Sequence, residues 1–468
     1  MVPFLDLPHE ILHNILWSID PQDIFPVSQT CRTLHAFIRE NQTLHKAVYL
    51  NRVDEPPTHV KPEPVWTDEM EKLVKLESLL SNEDPDLKLQ HIEFVAETVT
   101  DLLRTASADL VQHEESQTIS MLRKHFTKDI NRETLFCNSE LFCRARNCDE
   151  KIPSKLLDMN RRQASAKLHC LYGVPIEATG KKNLRRTSKT YPYACSKVYD
   201  LRNYTDETMW GPFMEDGSGK VDWERVEAIM VTLGFNMRRF DDGPANPLSS
   251  YGIWEVPFKG AVPGSYVSRN LPYTTPLYEQ PKLSLDAQDP YNVSGTYLRV
   301  VCFLDYNDLF NYNFLSEQPG SGPRPPYEAT EVIRMIIMEI RIVGIEEPGP
   351  DDLPGYPVVY FRGLSRSRGI SWDPNANSNI RGKGCVRMTR EGEVRWTTFS
   401  IYGGEERWRS EGIQIGGIKS ERGVIGNWFD KDYDARGPAG PTAFWKISDE
   451  IEDDDSDDEF GEEIHIWI

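Results

Sequence analysis

No stretch of this chain approaches the ~18 consecutive apolar residues that a membrane span needs. Cysteine is sparse, eight residues among 468, and so dispersed that reduced thiols are expected rather than a disulfide framework. Basic charge is also short. Against 73 Asp and Glu stand only 53 Lys and Arg, a net charge of −20, which argues against general nucleic-acid binding because that relies on a basic footprint. Catalytic signatures are missing too: there is no Gly-x-Ser-x-Gly elbow and no His-Glu-x-x-His run. Asp216-Gly217-Ser218-Gly219-Lys220 lacks the earlier glycine and the Ser or Thr after lysine that a phosphate loop requires. Cys137, Cys143, Cys148, His169 and Cys170 are the one cluster of metal-ligand types, but their spacings exceed the C-x(2–4)-C of structural zinc. The start, Met1-Val2-Pro3, has no signal-peptide pattern. The expectations are a cytoplasmic and/or nuclear chain, no cofactor, no metal, no membrane, no nucleic acid and no catalysis.

What is present is enough apolar material, 39% of residues with 10% aromatic, for two or three packed domains. The most patterned stretch is the first. Pro8 suits the start of a helix and Glu10 its first turn. Ile11, Leu12, Ile15, Leu16 and Ile19 then fall within a ~140° arc at ~100° per residue. Asp20 and Pro21 restart a helix as cap and first residue. Val27, Cys31, Leu34 and Ile38 follow as a second seam, with Pro26 expected to shorten or kink it. Short helices with two apolar faces cannot bury both internally. One face must be covered by the rest of the chain or by a partner.

The order Leu7-Pro8-x-Glu10-Ile11-Leu12, Asp23-Ile24, Val27-Ser28, Cys31-Arg32 over about a tenth of the chain resembles an F-box. That resemblance implies docking on the Skp-type adaptor of SCF ubiquitin ligases and, through it, assembly with cullin and RING subunits. It also implies that Leu7, Pro8, Ile11, Leu12, Leu16, Ile24, Val27, Cys31, Leu34 and Ile38 face the adaptor or brace that face. Leu44-His45 stands where such proteins often carry Leu-Trp.

Beyond the F-box at 1–50, Pro56, Pro57, Pro62 and Pro64 mark residues 51–66 as an extended linker. Residues 67–243 read as mainly helical. Thr67 caps one segment, Asp84-Pro85 opens another with an apolar stripe through Ile92, Val95, Ala96, Val99, Leu102 and Leu103, and Gly173 closes a third. Asp222 caps a helix that Gly234 closes, and 198–204 reads as extended. Lys181, Lys182, Arg185, Arg186 and Lys189 form a basic run, which reads as a solvated loop or an import signal.

Residues 244–447 change character, with dense proline, glycine and tyrosine and short β-branched runs. Strands are expected at 296–305, 332–343, 358–362, 384–389, 394–402, 412–418, 424–428 and 443–447. The fold class is therefore α+β: an N-terminal helical F-box and helical segment, then a mostly antiparallel β-barrel or sandwich-like receptor domain. The plentiful aromatic residues between Tyr251 and Phe314 suit recognition, or pin loops to the sheet. The proline-rich stretch from Arg324 to Tyr327 is expected to be mobile. Residues 448–468 form an acidic tail, whose 449–463 hold eleven acids in fifteen residues around Ser456, a kinase-site pattern and a self-repelling run. The final Ile464, Ile466, Trp467 and Ile468 are expected to dock on a sheet edge.

Runs such as Val198-Tyr199-Asp200-Leu201-Arg202, Trp210-Gly211-Pro212-Phe213 and Arg395-Trp396-Thr397-Thr398-Phe399 are similar to a group of long fungal F-box proteins. Gly295-Thr296-Tyr297 opening a long strand is similar, more faintly, to F-box proteins whose receptor half is a β-barrel. The reading is a non-catalytic substrate-recognition subunit of an SCF-type ligase with an unknown target protein. The alternative is a ligand-binding or enzymatic β-barrel whose F-box serves its own turnover.

Overall fold

The structure, a computed structural model, describes residues 4–56, 64–106, 116–146, 157–176, 190–241, 254–266, 284–315, 322–367 and 380–451. Four short helices come first: α1 (His9–Trp17), α2 (Ile24–Ser28), α3 (Arg32–Arg39) and α4 (Gln42–Leu50). The Asp20 carboxylate accepts from the Gln22 N–H at 3.1 Å and opens a 3-10 turn that runs into α2. Pro26 leaves α2 only five residues. The second apolar seam is therefore divided between α2 and α3, and Cys31 caps α3 through Sγ, which accepts from the Leu34 N–H at 3.5 Å.

The helical region continues through α5 (Trp66–Ser81), α6 (Pro85–Gln90), α7 (Ile92–Thr105), α8 (Gln117–Phe126), α9 (Asp129–Phe136), α10 (Glu140–Arg146), α11 (Met159–Tyr172), α12 (Tyr191–Val198) and α13 (Trp223–Asp241). The six stripe residues of α7 are all buried. Gly173, at φ 71°, ends α11 in the left-handed conformation that glycine adopts without steric cost.

Three local expectations fail. Thr67 is not a cap, because α5 already begins at Trp66. The stretch 198–204 is helical: α12 ends at Val198, and Asp200 caps a 3-10 turn over Leu201–Asn203. Gly234 does not stop α13. Its missing Cβ makes room for Pro175, whose Cγ would lie 2.6 Å from such an atom, so this glycine serves close packing.

Eight strands close into one antiparallel barrel in which each pairs with the next and the last returns to the first. They are β1 (Gly295–Phe303), β2 (Val332–Glu346), β3 (Val358–Ser367), β4 (Ile380–Met388), β5 (Val394–Tyr402), β6 (Glu405–Gln414), β7 (Val424–Asp430) and β8 (Ala439–Ser448). All eight expected strands exist. β3, β4 and β6 reach beyond their apolar cores, because serine-, arginine- and glycine-rich extensions continue the ladders. β5 and β6 are joined at Gly403-Gly404, both at positive φ (57° and 88°), a turn the expected start of β6 had missed.

Alternation along β1 explains its near-continuous apolar run. Leu298, Val300 and Cys302 join the core shared with the helices, while Tyr297 joins a separate core inside the barrel. Helix α13 lies against β7 and β8 from outside. The helical region thus backs one wall of the barrel. The stretch from Arg324 to Tyr327 is held, contrary to the expectation of mobility. The Arg324 guanidinium donates to Asp200 at 2.9 Å and to the Tyr312 and Asn313 carbonyls, and Tyr327 stacks on Tyr312 at 4.2 Å. The acidic tail from 452 onward, with Ser456 and the terminal isoleucines, lies outside the described residues, as do 181–189 and Cys148.

Candidate functional site

Helix α1 carries two apolar rows. Leu12 and Leu16, one turn apart, are each 3% exposed, whereas Ile11 and Ile15, one residue back on the helix, are 44% and 42% exposed. A ~100° step per residue is the whole difference between these rows. The preceding turn (Phe4–Asp6) adds exposed Phe4 and Leu5, and Trp17 adds an exposed indole at the far end. So many large apolar side chains in so short a stretch mark an interaction surface rather than the scattered exposure ordinary in a soluble protein.

The layer beneath holds this surface in place. Ile24, Leu34 and Ile38 are buried with Leu16 in one cluster with Leu44, Val48 and Tyr49 of α4. His9 meets the ring of Phe37 on α3 at 5.3 Å. Trp17 and Asn51 bond reciprocally, Nε1 to Oδ1 at 3.0 Å and Nδ2 to the Trp17 carbonyl at 2.6 Å, which ties the end of α1 to the end of α4. His45 is buried beside Phe25, and its Nε2–H donates to the Ile38 carbonyl at 3.0 Å. Burial lowers its pKa below the ordinary value, so the ring is neutral near pH 7.

Of the residues expected to serve the adaptor, Pro8 and Ile11 are exposed and Leu7, Val27 and Cys31 are half-buried. Leu12, Leu16, Ile24, Leu34 and Ile38 are buried. Phe4, Leu5, Ile15 and Trp17, which sequence reasoning did not name among the adaptor-facing residues, are exposed apolar side chains of the same stretch. The signal for Ile15 was present, since it stands one turn from Ile11 on the same row.

The four helices are not set apart from the remainder. Tyr49 meets Trp66 of α5 edge-on at 5.7 Å, and Val53, within the expected linker, is buried. Arg52 Nε donates to Glu77 at 2.9 Å. Asp54 accepts from the Gln117 N–H at 2.9 Å and from the Ser116 hydroxyl. Burial pushes the Glu77 carboxyl up, but the bonds from His125 and Arg52 outweigh it and hold it below the usual carboxylate range.

The other candidate clusters resolve differently. His169 is fully buried between Phe136 and Phe142, with Nδ1 2.6 Å from Glu227, and adjacent Cys170 is buried. Among the described residues, no three His, Cys, Asp or Glu side chains gather as a metal site. Of the aromatic run, Trp254, Phe258, Tyr291, Tyr297 and Tyr312 are buried and pin their segments, whereas Tyr306 and Phe314 are exposed. No described helix is long and apolar enough to cross a membrane.

No curated protein and no solved structure matches the chain. Residues 4–51, which hold the exposed face of α1 and the helices that brace it, match the family model of the F-box-like domain. The chain carries an F-box-like domain at its N-terminus.

Proposed function

We propose that this protein is the substrate-recognition subunit of an SCF-type E3 ubiquitin ligase. The single observation that carries the reading is the exposed apolar row of α1 within a stretch that matches the F-box-like domain. That row docks on a Skp-type adaptor, which brings cullin and RING subunits. The barrel half then holds a target protein near a charged conjugating enzyme. Such a subunit raises the local concentration of target lysines and performs no bond chemistry itself. It acts in the cytoplasm or nucleus.

The test is co-purification of the full chain with a recombinant Skp-type adaptor. Ile11→Asp/Ile15→Asp should abolish the complex while leaving the melting curve of the free chain intact, since both side chains are exposed. Adaptor binding that survives this double change overturns the reading.

A further inference from the structure

The net charge of −20 is unevenly spread, and one stretch of the outer barrel wall is basic instead. Arg341 of β2 stands directly opposite Arg362 of β3, and Arg362 directly opposite Lys383 of β4. Their neighbours Ile340 and Phe361 belong to the core inside the barrel, so alternation turns this row of cations outward. Arg341 is exposed, and Arg362 and Lys383 are half-buried. The row runs on to Phe399 of β5 and Arg409 of β6. The Lys383 ammonium and the Arg409 guanidinium lie 5.7 Å and 5.1 Å from the Phe399 ring centre. The carboxylates of this wall pair beside the row or at its far end: Glu339 with Arg366, Glu406 with Lys383, and Glu411 with Arg395 and Arg409. Side chains directly opposite in an antiparallel sheet are about 5 Å apart, a spacing at which like charges destabilise.

The densest negative charge of the chain begins beside this row. Thr296 of β1 pairs with Ser448 on one side and with Glu339 on the other, so one strand separates the end of β8 from β2. Beyond β8 the chain lies against the outer face of β1, where the Thr296 hydroxyl donates to the Glu450 carbonyl at 2.6 Å. Residues 452–463 follow, nine acids among twelve residues. Fully extended they span about 40 Å at ~3.3 Å per residue. Arg341 to Lys383 is two strand spacings, about 10 Å.

We propose that the row from Arg341 through Arg362 to Lys383 is a docking surface for a polyacidic chain, and that residues 452–463 of this protein are its occupant. Carboxylates laid along the row replace like-charge repulsion with charge-assisted hydrogen bonds. Arginine suits the role because its planar fork takes a carboxylate bidentately. The tether to β8 holds the acids near the row at an effective concentration on the order of millimolar, so an intrinsically weak contact suffices. An acidic segment of any other protein must compete with the tail for this wall. The contact rests on no part of the adaptor reading, and either can fail alone.

The test is fluorescence anisotropy at low ionic strength, with a labelled peptide of residues 449–463 added to the full chain. A full-length variant carrying Asp453→Asn, Asp454→Asn, Asp455→Asn, Asp457→Asn and Asp458→Asn vacates the row. It should bind the peptide about tenfold more tightly than the wild type, whose own tail competes. Adding Arg341→Gln and Arg362→Gln to that variant should weaken the peptide by about tenfold or more. Raising the salt to about 0.5 M should do the same, because exposed charges are screened. If the double arginine change fails to fold, Arg341→Gln alone decides, since that side chain is exposed. Equal peptide binding by the wild type and the asparagine variant would leave the row open to an acidic partner and overturns the proposal. Binding that ignores the arginine changes, or no binding by the asparagine variant, overturns it as well.

Discussion

On α1, isoleucine side chains stand in water. In the barrel, a guanidinium stands inside. Ile11 and Ile15 face outward beside buried Leu12 and Leu16, and Arg299 faces inward one alternation from Tyr297. The N-terminal helices and the barrel thus depart from apolar-inside packing in opposite directions: the first leaves apolar side chains in water, the second encloses a charge that Thr442 and Ser410 hydroxyls hold. The comparison teaches that burial alone does not reveal function in this chain. The informative positions are those whose burial disagrees with their chemistry.

The comparison can be broken most severely at the seam between the two halves. A chain beginning near Val65 lacks Tyr49, Arg52 and Asp54, and so uncovers Trp66 and leaves Glu77 with His125 alone. It should aggregate on gel filtration or melt well below the full chain. An unchanged cooperative melt would show the F-box-like unit to be separable, as its proline-rich linker suggests.

The next effect sets two buried arginines against each other. Arg324→Met strands Asp200 with only Arg202 and frees two backbone carbonyls, and should cost about 3–5 kcal/mol in urea unfolding. Arg299→Met removes a cation with no carboxylate partner and should be near neutral or stabilising. Equal losses would mean that Arg299 is held as tightly as Arg324 and would weaken the contrast.

The two rows of α1 sharpen it further. Leu16→Ala should cost about 2–5 kcal/mol of stability through cavity formation. Ile15→Ala, one position back, should change stability by no more than about 0.5 kcal/mol and yet weaken adaptor binding. Chemical denaturation paired with an adaptor pull-down separates the two outcomes.

The smallest effect is in acid. At Glu77 and Asp200 burial raises the pKa, but hydrogen bonds from His125 and Arg52, and from Arg202 and Arg324, outweigh it and depress the folded-state value. A depressed carboxylate contributes stability that is present above the unfolded pKa, ~3.9–4.3, and is lost as pH falls through the folded value. Urea midpoints should therefore fall below about pH 4, and Glu77→Gln should flatten that slope. A slope unchanged by the substitution would contradict the assignment.

Much of the fold was legible because local rules suffice for it. Helical stripes such as Ile92 through Leu103, the cap at Asp84, the stop at Gly173 and eight β-rich runs all rest on periodicity or backbone chemistry within a few residues. Local rules failed where a distant partner decided. Gly234 reads as a stop until Pro175 packs on it, and Arg324 reads as a loop residue until Asp200 and two carbonyls receive it.

By itself the sequence determined the two apolar rows of α1, since a fixed ~100° step follows from the backbone. It also determined the β-character of the second half, since side-chain alternation is a property of each strand alone. Only the tertiary structure decided which row faces water and which way each strand's alternate residues point once the sheet closes. The physical reason is that inside and outside are defined by contacts between residues far apart in the chain. Arg299 entered the barrel because β1 pairs with β8 across more than a hundred residues, and no local pattern carries that pairing.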